Sequence, residues 1–197
     1  MRAIVCLCHG YGDTCTFFLD GVARKIASAG YGVFALDYPG FGLSEGLHGY
    51  IPSFDTLVDD VAEHFSKVKG EFYGVPAACS STFPYNPRCS FNVIAYKDKP
   101  RLRTALEMLR TTQEIERRLE EVSLPLIILH GEADMVTDPA VSKALYEKAK
   151  SQDKKLCLYK GAYHAILEGE PDQTIFQVLD DIISWLDQHS TKEGISL

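Results

Sequence analysis

The hydrophobic positions in the N-terminal part of the chain alternate between continuous runs and helically spaced sets. Residues 3–8 and 31–38 are continuous apolar runs, which are typical of strands buried on both faces. Residues 16–29 and 53–68 place apolar side chains three or four positions apart, which predicts amphipathic helices, and Gly30 stands where a C-terminal cap belongs. The order strand, helix, strand, helix predicts a parallel sheet with crossover helices.

The C-terminal part repeats this alternation. Helical spacing over residues 98–122 is followed by the apolar run 126–129, and Asp138 stands where a helix N-cap belongs. A second short run at 155–159 precedes helical spacing over 172–187. The pattern therefore predicts an α/β fold, a mostly parallel sheet with helices on both faces.

The alternation fails over residues 68–98, where two predicted helices follow one another without an apolar run of strand length. This stretch contains Pro76, Pro84 and Pro87. Because proline is confined to the edges and bulges of sheets, we do not expect a central parallel strand here. We predict an irregular junction over residues 71–91 within a single domain that spans residues 1–197.

Composition narrows the class of protein. A net charge of −7 without a cluster of Lys and Arg argues against a nucleic-acid partner, whose phosphates require a basic surface. Apolar runs stay below the roughly 18–20 residues that a membrane span needs, and residues 1–8 are too short for a signal sequence. Three of six cysteines, Cys6, Cys8 and Cys157, lie in apolar runs, which favours reduced thiols and a cytoplasmic location.

Three motifs follow predicted strands, at the end where α/β folds bind ligands. The first is His9-Gly10-Tyr11-Gly12, whose glycines permit a sharp turn with exposed N–H groups. Such a turn can donate hydrogen bonds to a developing oxyanion. An ordinary glycine-rich turn is the alternative interpretation.

The other two motifs carry an acid and a base. In the stretch 130–134, Asp134 can orient a histidine, although Glu132 and Asp138 compete for this role. His164 follows the last predicted strand and is a candidate general base. Each residue alone is compatible with an ordinary surface position. Their order along the chain is that of the acid and the base in a Ser…Asp…His triad.

Four segments resemble one family of enzymes. Residues 9–14 (HGYGDT), 38–46 (YPGFGLSEG), 129–139 (LHGEADMVTDP) and 162–171 (AYHAILEGEP) look like the monoacylglycerol lipase and caffeoylshikimate esterase-like group of serine α/β-hydrolases. The similarity covers most of the chain outside the junction.

This resemblance implies an α/β-hydrolase fold and hydrolysis of carboxylic esters by a Ser-Asp-His triad. It implies Asp134 as the acid, His164 as the base and the backbone N–H of Tyr11 as an oxyanion donor. The implied substrates are monoacylglycerols, lysophospholipids or small hydroxycinnamate esters. No cofactor or metal is implied, and membrane contact is at most peripheral.

The chain departs from the family where the nucleophile belongs. Relatives continue from the helix near Val68 into a buried strand, a G-x-S-x-G elbow and a lid. Here the join falls between about Ala78 and Pro84, and the missing β-α-β portion alone corresponds to about 30 residues or more. We predict an internal deletion that removes central strands, the lid and the nucleophile, so the nucleophile is unknown and turnover is impaired.

A literal G-x-S-x-G stands at Gly42-Leu43-Ser44-Glu45-Gly46. An elbow joins a buried strand directly to a helix, whereas Pro39 and the residues after Gly46 separate this motif from both elements. We therefore disfavour Ser44 as the nucleophile. Cys79 has small neighbours but no predicted strand before it, and we disfavour it further.

Two alternatives remain open. The chain can be a catalytically inactive hydrolase-like protein that binds a ligand or a partner, or a purely structural interaction module. Lost central strands would expose sheet edges, which predicts low solubility or self-association by edge pairing.

Overall fold

The computed structural model describes residues 1–81 and 94–190. Strands and helices alternate along these residues, with one short 3₁₀ turn at Leu119–Glu121. In chain order the elements are β1 (Ile4–Cys8), α1 (Phe18–Ser28), β2 (Gly32–Ala35), α2 (Phe54–Glu71), β3 (Ala77–Ser81), α3 (Leu102–Arg117), β4 (Leu126–Gly131), α4 (Pro139–Lys148), β5 (Lys154–Tyr159) and α5 (Asp172–His189).

The described residues within Met1–Glu107 and Leu179–Leu197 form one compact unit, and Met108–Val178 form a second. The first unit contains a sheet of three parallel strands in the order β2-β1-β3, and the second contains the parallel pair β4-β5. Parallel pairing in both units confirms the strand type that the alternating pattern predicts. The single domain predicted over residues 1–197 stays a prediction.

Helix α1 shows how the local sequence fixes the first crossover. Its inward face buries Leu19, Val22 and Ile26. Gly30 then adopts a φ of 95°, a left-handed conformation that glycine tolerates, and its N–H donates to the carbonyl of Ala27 at 2.9 Å. The chain can therefore turn at once into β2, as the position of Gly30 predicts.

Strand β3 corrects one expectation from the sequence. Residues 77–81 pair in parallel with β1, with Ile4 opposite Ala77 and Cys8 opposite Ser81, whereas the sequence predicted an irregular junction over 71–91. Pro76 precedes the strand, where its missing N–H removes no ladder bond, and its carbonyl accepts from the N–H of Ile4 at 2.7 Å. The remainder of the predicted junction, residues 82–91, lies outside the described residues.

The strand escaped prediction because its side chains are small rather than bulky. Ala77 is buried, and it packs in one cluster with Ile4, Cys6 and Val68. Phe34, Phe65, Phe72 and Val75 pack around this cluster. Aromatic side chains from β2, from α2 and from the turn before β3 thus supply the hydrophobic contacts that the small side chains of β3 lack.

Helix α3 begins at Leu102, close to the predicted start, but it buries polar positions. The side chain of Thr104 is fully buried, while Leu102 is 90% and Leu109 is 64% exposed. The Thr104 hydroxyl accepts from the N–H of Ile51 at 2.9 Å and donates to the carbonyl of Gly49 at 3.2 Å. Buried backbone groups of the loop before α2 need partners, so this polar contact determines which side of α3 is buried.

The length and polarity of the helices decide whether they could span a membrane. Across residues 1–81 and 94–190, each helix is too short or too polar to cross a bilayer.

Candidate active site

Asp134 lies in the turn that follows β4. Its N–H donates to the carbonyl of Gly131 at 3.2 Å, and the N–H of Ala133 donates to the carbonyl of Ala162 at 2.9 Å. These bonds continue the β4-β5 pairing beyond the strands. The turn therefore brings Asp134 beside the loop that carries His164.

The carboxylate of Asp134 is 1% exposed and accepts hydrogen bonds at both oxygens. Oδ1 accepts from the N–H groups of Val136 at 2.7 Å and Thr137 at 3.0 Å. Oδ2 accepts from the Thr137 hydroxyl and from Nδ1 of His164, each at 2.7 Å. The structure thus brings together the two side chains that the sequence selected as acid and base.

These bonds set the charge of the site. Burial alone would raise the pKa of Asp134, but the hydrogen bonds from Thr137, His164 and Val136 outweigh burial and hold the pKa well below its ordinary value. Asp134 is therefore ionised at neutral pH. A buried carboxylate in this position can orient an imidazole and stabilise its protonated form.

The orientation of His164 follows from its contacts with Asp134 and Thr137. Nδ1 lies 2.7 Å from the Asp134 carboxylate and 3.2 Å from the Thr137 hydroxyl. Because an ionised carboxylate only accepts hydrogen bonds, Nδ1 carries the proton in neutral His164. Nε2 is consequently the basic nitrogen, as general-base catalysis requires.

His130, at the end of β4, is a second histidine against the same carboxylate, and sequence reasoning did not assign it a role. Its Nε2 lies 3.0 Å from Oδ2 of Asp134 and 3.2 Å from the carbonyl of Thr137, and its Nδ1 lies 2.7 Å from the Ser142 hydroxyl. Since Nε2 faces two acceptors, it donates. The signal in the sequence was the spacing of four residues between His130 and Asp134.

Close backbone contact also shapes the site. A Cβ on Gly131 would collide with the carbonyl groups of Ala162 and Tyr163, so only glycine fits where β4 ends. On the other side of this loop, the N–H of Tyr163 donates to the Glu170 carboxylate at 2.6 Å. The residue before His164 is therefore fixed through its backbone on two sides.

The competing acids have other positions. The Asp138 carboxylate accepts from the N–H of Ala140 at 2.8 Å and caps α4, as its place before Pro139 predicts. Glu132 is exposed. Neither carboxylate shares the contacts that Asp134 makes.

The His9–Gly12 turn follows β1, in the first unit. His9 is buried; its Nε2 accepts from the N–H of Tyr38 at 3.1 Å and its Nδ1 lies 2.8 Å from the carbonyl of Gly10. Burial lowers the pKa of His9. A neutral His9 therefore connects this turn to the residues that follow β2 through contacts of its two ring nitrogens.

Tyr11, the predicted oxyanion donor, is held in this turn by its own side chain. The ring packs edge-on against Phe41 and Tyr96, and the hydroxyl donates to the carbonyl of Gly49 at 3.3 Å. Gly12 has a φ of 83°, and its carbonyl accepts from the N–H of Tyr96 at 2.8 Å. These contacts fix the backbone of the turn; the donor role of Tyr11 stays a prediction.

Ser44 lies in an exposed turn between β2 and α2. Its hydroxyl donates to the backbone carbonyl of Asp37 at 2.6 Å, and its N–H donates to the carbonyl of Phe41 at 3.0 Å. The Asp37 carboxylate accepts from the N–H of Leu43 at 2.9 Å and from that of Cys15 at 2.7 Å. The G-x-S-x-G letters at 42–46 thus form a turn organised around Asp37, separated from both the strand and the helix.

Cys79, also weighed as a nucleophile, does lie on a strand, contrary to the expectation from the sequence. It stands in the middle of β3, opposite Cys6, and its Sγ lies 3.8 Å from that of Cys8. The thiol contacts another thiol, and a strand-to-helix elbow does not begin at a mid-strand position.

Comparison with known proteins defines the class of this chain. The profile of the Hydrolase_4 family, described as serine aminopeptidase, S33, matches residues 1–82 and 92–172. The chain belongs to this family. The two matched stretches contain the strand-end motifs at 9–12, 130–134 and 162–164, and they are interrupted at 83–91, where the sequence departs from its relatives.

Two curated relatives match nearly the whole chain. The caffeoylshikimate esterase of Arabidopsis thaliana is 27% identical over 266 residues, covering 98% of this chain and 80% of that protein. The monoglyceride lipase of Homo sapiens is 24% identical over 259 residues, covering 98% and 85%. Both matched spans exceed the 197 residues of this chain. Each relative therefore carries residues within the span that this chain lacks.

Solved structures confirm the fold. The monoglyceride lipase of Saccharomyces cerevisiae, solved as a soluble variant with a substrate analogue, superposes with a TM-score of 0.82 at 19% identity, covering 98% of this chain and 88% of that one. The monoacylglycerol lipase of Paleococcus ferrophilus gives a TM-score of 0.78 at 20% identity, covering 95% of each chain. The α/β-hydrolase fold and the family resemblance predicted from the sequence are confirmed.

Proposed function

We propose that this chain is a carboxylic-ester hydrolase of the monoacylglycerol lipase type in which the acid and base of the triad are in place and turnover is impaired. The observation that carries the proposal is the 2.7 Å contact between Nδ1 of His164 and the buried carboxylate of Asp134. In such a site Asp134 orients His164, and Nε2 of His164 removes the proton of a nucleophile that attacks the ester carbonyl. The N–H of Tyr11 is the proposed oxyanion donor.

The proposed substrates are monoacylglycerols and small carboxylic esters. Two relatives that match most of this chain, a monoglyceride lipase and a caffeoylshikimate esterase, support this proposal. The acyl preference depends on the segment that would shape the acyl pocket, and this segment falls where the family match is interrupted.

The proposed impairment rests on the nucleophile. In the part of the chain that the structure describes, the one literal elbow motif has its serine in an exposed turn, with the hydroxyl donating to the Asp37 carbonyl. The matched spans of the relatives, longer than this whole chain, support an internal deletion. Without an activated serine, an acid and a base supply no covalent step.

The test is hydrolysis of a monoacylglycerol and a hydroxycinnamate ester by the purified chain, with His164→Ala and Ser44→Ala as matched variants. We expect a slow rate that falls in His164→Ala and is unchanged in Ser44→Ala. Fast, His164-dependent turnover would contradict the impairment. A wild-type rate equal to that of His164→Ala and of buffer would instead favour the alternative, an inactive hydrolase-like binding protein, which the engaged Ser44 hydroxyl supports.

Self-association through sheet edges and a cytoplasmic location belong to the same proposal. In the described residues, β2 and β3 are the outer strands of a sheet of three, and an unpaired edge is a template for a second copy. Sedimentation should show a dimer or larger species; a monomer with a sharp cooperative melt would count against edge pairing. Location can be read from a tagged full chain, with exclusion from the cytoplasm as the contrary result.

A further inference from the structure

Two cysteines from neighbouring strands meet on one face of the first sheet. Cys79 is directly opposite Cys6, and Cys8 is directly opposite Ser81. Because alternate residues of a strand point to the same face, the Cys8 and Cys79 side chains project from the same side of the sheet. Their Sγ atoms lie 3.8 Å apart, although 71 positions separate them in sequence.

The two thiols have unequal environments. A hydrogen bond from Cys79 lowers the pKa of Cys8 to about 7, against the opposing effect of burial, and the Tyr38 hydroxyl bonds the same sulfur. Donating that bond raises the pKa of Cys79. The direction of these shifts makes Cys8 the more acidic thiol of the pair, and a thiolate is the nucleophilic form of cysteine.

We propose that Cys8 and Cys79 are a thiol oxidation site that closes to a reversible disulfide when the protein reacts with a peroxide. The Cys8 thiolate attacks one peroxide oxygen, the O–O bond breaks, and the departing hydroxide takes a proton to leave as water. This step leaves a sulfenic acid on Cys8.

The second step completes the balance. The Cys79 sulfur attacks the Cys8 sulfur, the S–O bond breaks, and the hydroxide released takes the proton of the Cys79 thiol to form a second water. Two thiols thus lose two protons and two electrons, which reduce one peroxide to two waters. The product is restored to the dithiol by an external thiol.

Cys6 is the natural competitor, since it lies directly across from Cys79. Its side chain is 5% exposed and packs with Ile4, Val68 and Ala77. Burial, with a smaller contribution from the charge of Cys8, raises the pKa of Cys6 to about 11. A neutral thiol buried in a hydrophobic cluster reacts poorly with peroxide, so the link is assigned to Cys8.

The Cys8–Cys79 pair is accessible to solvent through Cys79, and β3 is free to move at the edge of the described sheet. Cys79 is exposed and Cys8 is 8% exposed, so peroxide and external thiols reach the pair from the side of Cys79. Cys8 lies diagonally from Cys79, two positions along β1 from Cys6, the direct partner of Cys79, so a disulfide of about 2.05 Å requires β3 to shift along β1 as well as towards it. In the described chain β3 is hydrogen-bonded to one strand, β1. Movement of β3 therefore disturbs the pairing with a single neighbour.

The test is mass spectrometry of the reduced full-length chain after peroxide treatment and alkylation. Before alkylation the expected product is two hydrogen masses lighter than the dithiol form, and after alkylation it carries two fewer alkyl groups than the fully reduced chain; dithiothreitol reverses both differences. Trypsin should release two disulfide-linked peptides, residues 3–24 and 70–88, whose linked cysteines are not alkylated. Fragmentation should place the link at Cys8. Cys15, in the same peptide 3–24, provides the matched control: Cys15→Ser should retain the link, whereas Cys8→Ser and Cys79→Ser should lose it.

The wild-type protein alone can overturn the proposal, so the result does not depend on whether a variant folds. Full alkylation of every cysteine after peroxide, or a link through Cys6 or Cys15, contradicts it. Equal crosslinking in urea and in native buffer also contradicts it, because the contact between the strands would then be irrelevant. The readout is a mass and is independent of ester hydrolysis, so this inference does not rest on the proposed function.

Discussion

The loop after β5 and the turn after β2 each carry a residue that a motif search would select, but their surroundings differ. His164 has its Nδ1 fixed by a carboxylate that is 1% exposed, which leaves Nε2 as the basic nitrogen. Ser44 is exposed, and its hydroxyl donates to a backbone carbonyl at 2.6 Å. The first arrangement prepares a side chain for proton transfer. The second stabilises a turn.

The difference teaches that the partners of a residue matter more than the letters around it. Asp134 and His164 are 30 positions apart, and parallel pairing of β4 with β5 brings their loops together. The motif at 42–46 has the correct spacing of glycines and serine, but it lacks the strand and the helix that an elbow joins. Substitutions in either region break this contrast in measurable ways.

The largest effect is expected at Gly131. In Gly131→Ala the new Cβ would collide with the backbone carbonyls of Ala162 and Tyr163, which cannot rotate away as a side chain could. We expect a loss of unfolding free energy of about 3 kcal/mol. Gly161→Ala is the control, since open space surrounds it and only its φ of 76° opposes a side chain; we expect about 1 kcal/mol there. Urea unfolding of both variants measures the difference, and equal losses would contradict the close contact.

A slightly smaller effect is expected at Asp134. Replacing it with Ala removes the acceptor for His164, Thr137 and Val136 and should cost about 2–3 kcal/mol of unfolding free energy. In ¹⁵N NMR spectra, neutral His164 should carry its proton on Nδ1 in the wild type and lose this preference in Asp134→Ala. An unchanged tautomer would show that the carboxylate does not orient the imidazole.

Asp134 also predicts a dependence of stability on pH. Its folded pKa lies below the ordinary value of about 3.9, so the folded state binds this proton more weakly than the unfolded state. The stabilisation is therefore fully present above about pH 4 and is lost as the pH falls through the folded pKa. Urea midpoints measured on descending from neutral pH should fall less steeply in Asp134→Asn than in the wild type. Parallel curves would contradict the depressed pKa.

His130 tests whether the second histidine supports the first. His130→Ala removes a donor to Asp134 and the partner of the Ser142 hydroxyl, at an expected cost of about 1–2 kcal/mol. If His130 is a positioning residue, the Nδ1 preference of His164 should weaken together with stability. A loss of stability with an unchanged tautomer would make its role structural.

Ser44→Ala should have the smallest effect. The side chain is exposed and makes one hydrogen bond to the backbone, so we expect a change below about 0.5 kcal/mol in unfolding free energy. Ester hydrolysis should be unchanged. Loss of activity without loss of stability would transfer the nucleophile role to Ser44 and remove the contrast between the two regions.

Sequence reasoning went furthest where one physical signal dominates. Apolar runs identified β1 and β4, and Gly30 marked the end of α1 because a left-handed residue must follow a helix that turns back at once. The strand-end rule selected Asp134 and His164 before their contact was visible. Their 2.7 Å separation needs the register of β4 and β5, which a single sequence does not reveal.

The sequence failed where structure depends on distant partners. Strand β3 consists of Ala, Cys and Ser, and its pairing with β1 outweighs its weak hydrophobic pattern. Thr104 is buried on α3 because Ile51 and Gly49 need hydrogen-bond partners, while the more apolar Leu102 is exposed. His130 and Thr137 complete the environment of Asp134 through short loop contacts that spacing alone does not specify.

One measurement tests the central claim most directly, namely that the acid and base are in place without a serine nucleophile. The folded protein is treated with a fluorophosphonate probe, which captures activated serines, and its intact mass is read beside those of Ser44→Ala and His164→Ala. We predict no stoichiometric adduct in any of the three proteins. An adduct lost in both variants would establish Ser44 as the nucleophile and contradict the account, and an adduct lost only in His164→Ala would contradict it in favour of another residue, with Ser80 and Ser81 the first to be mapped.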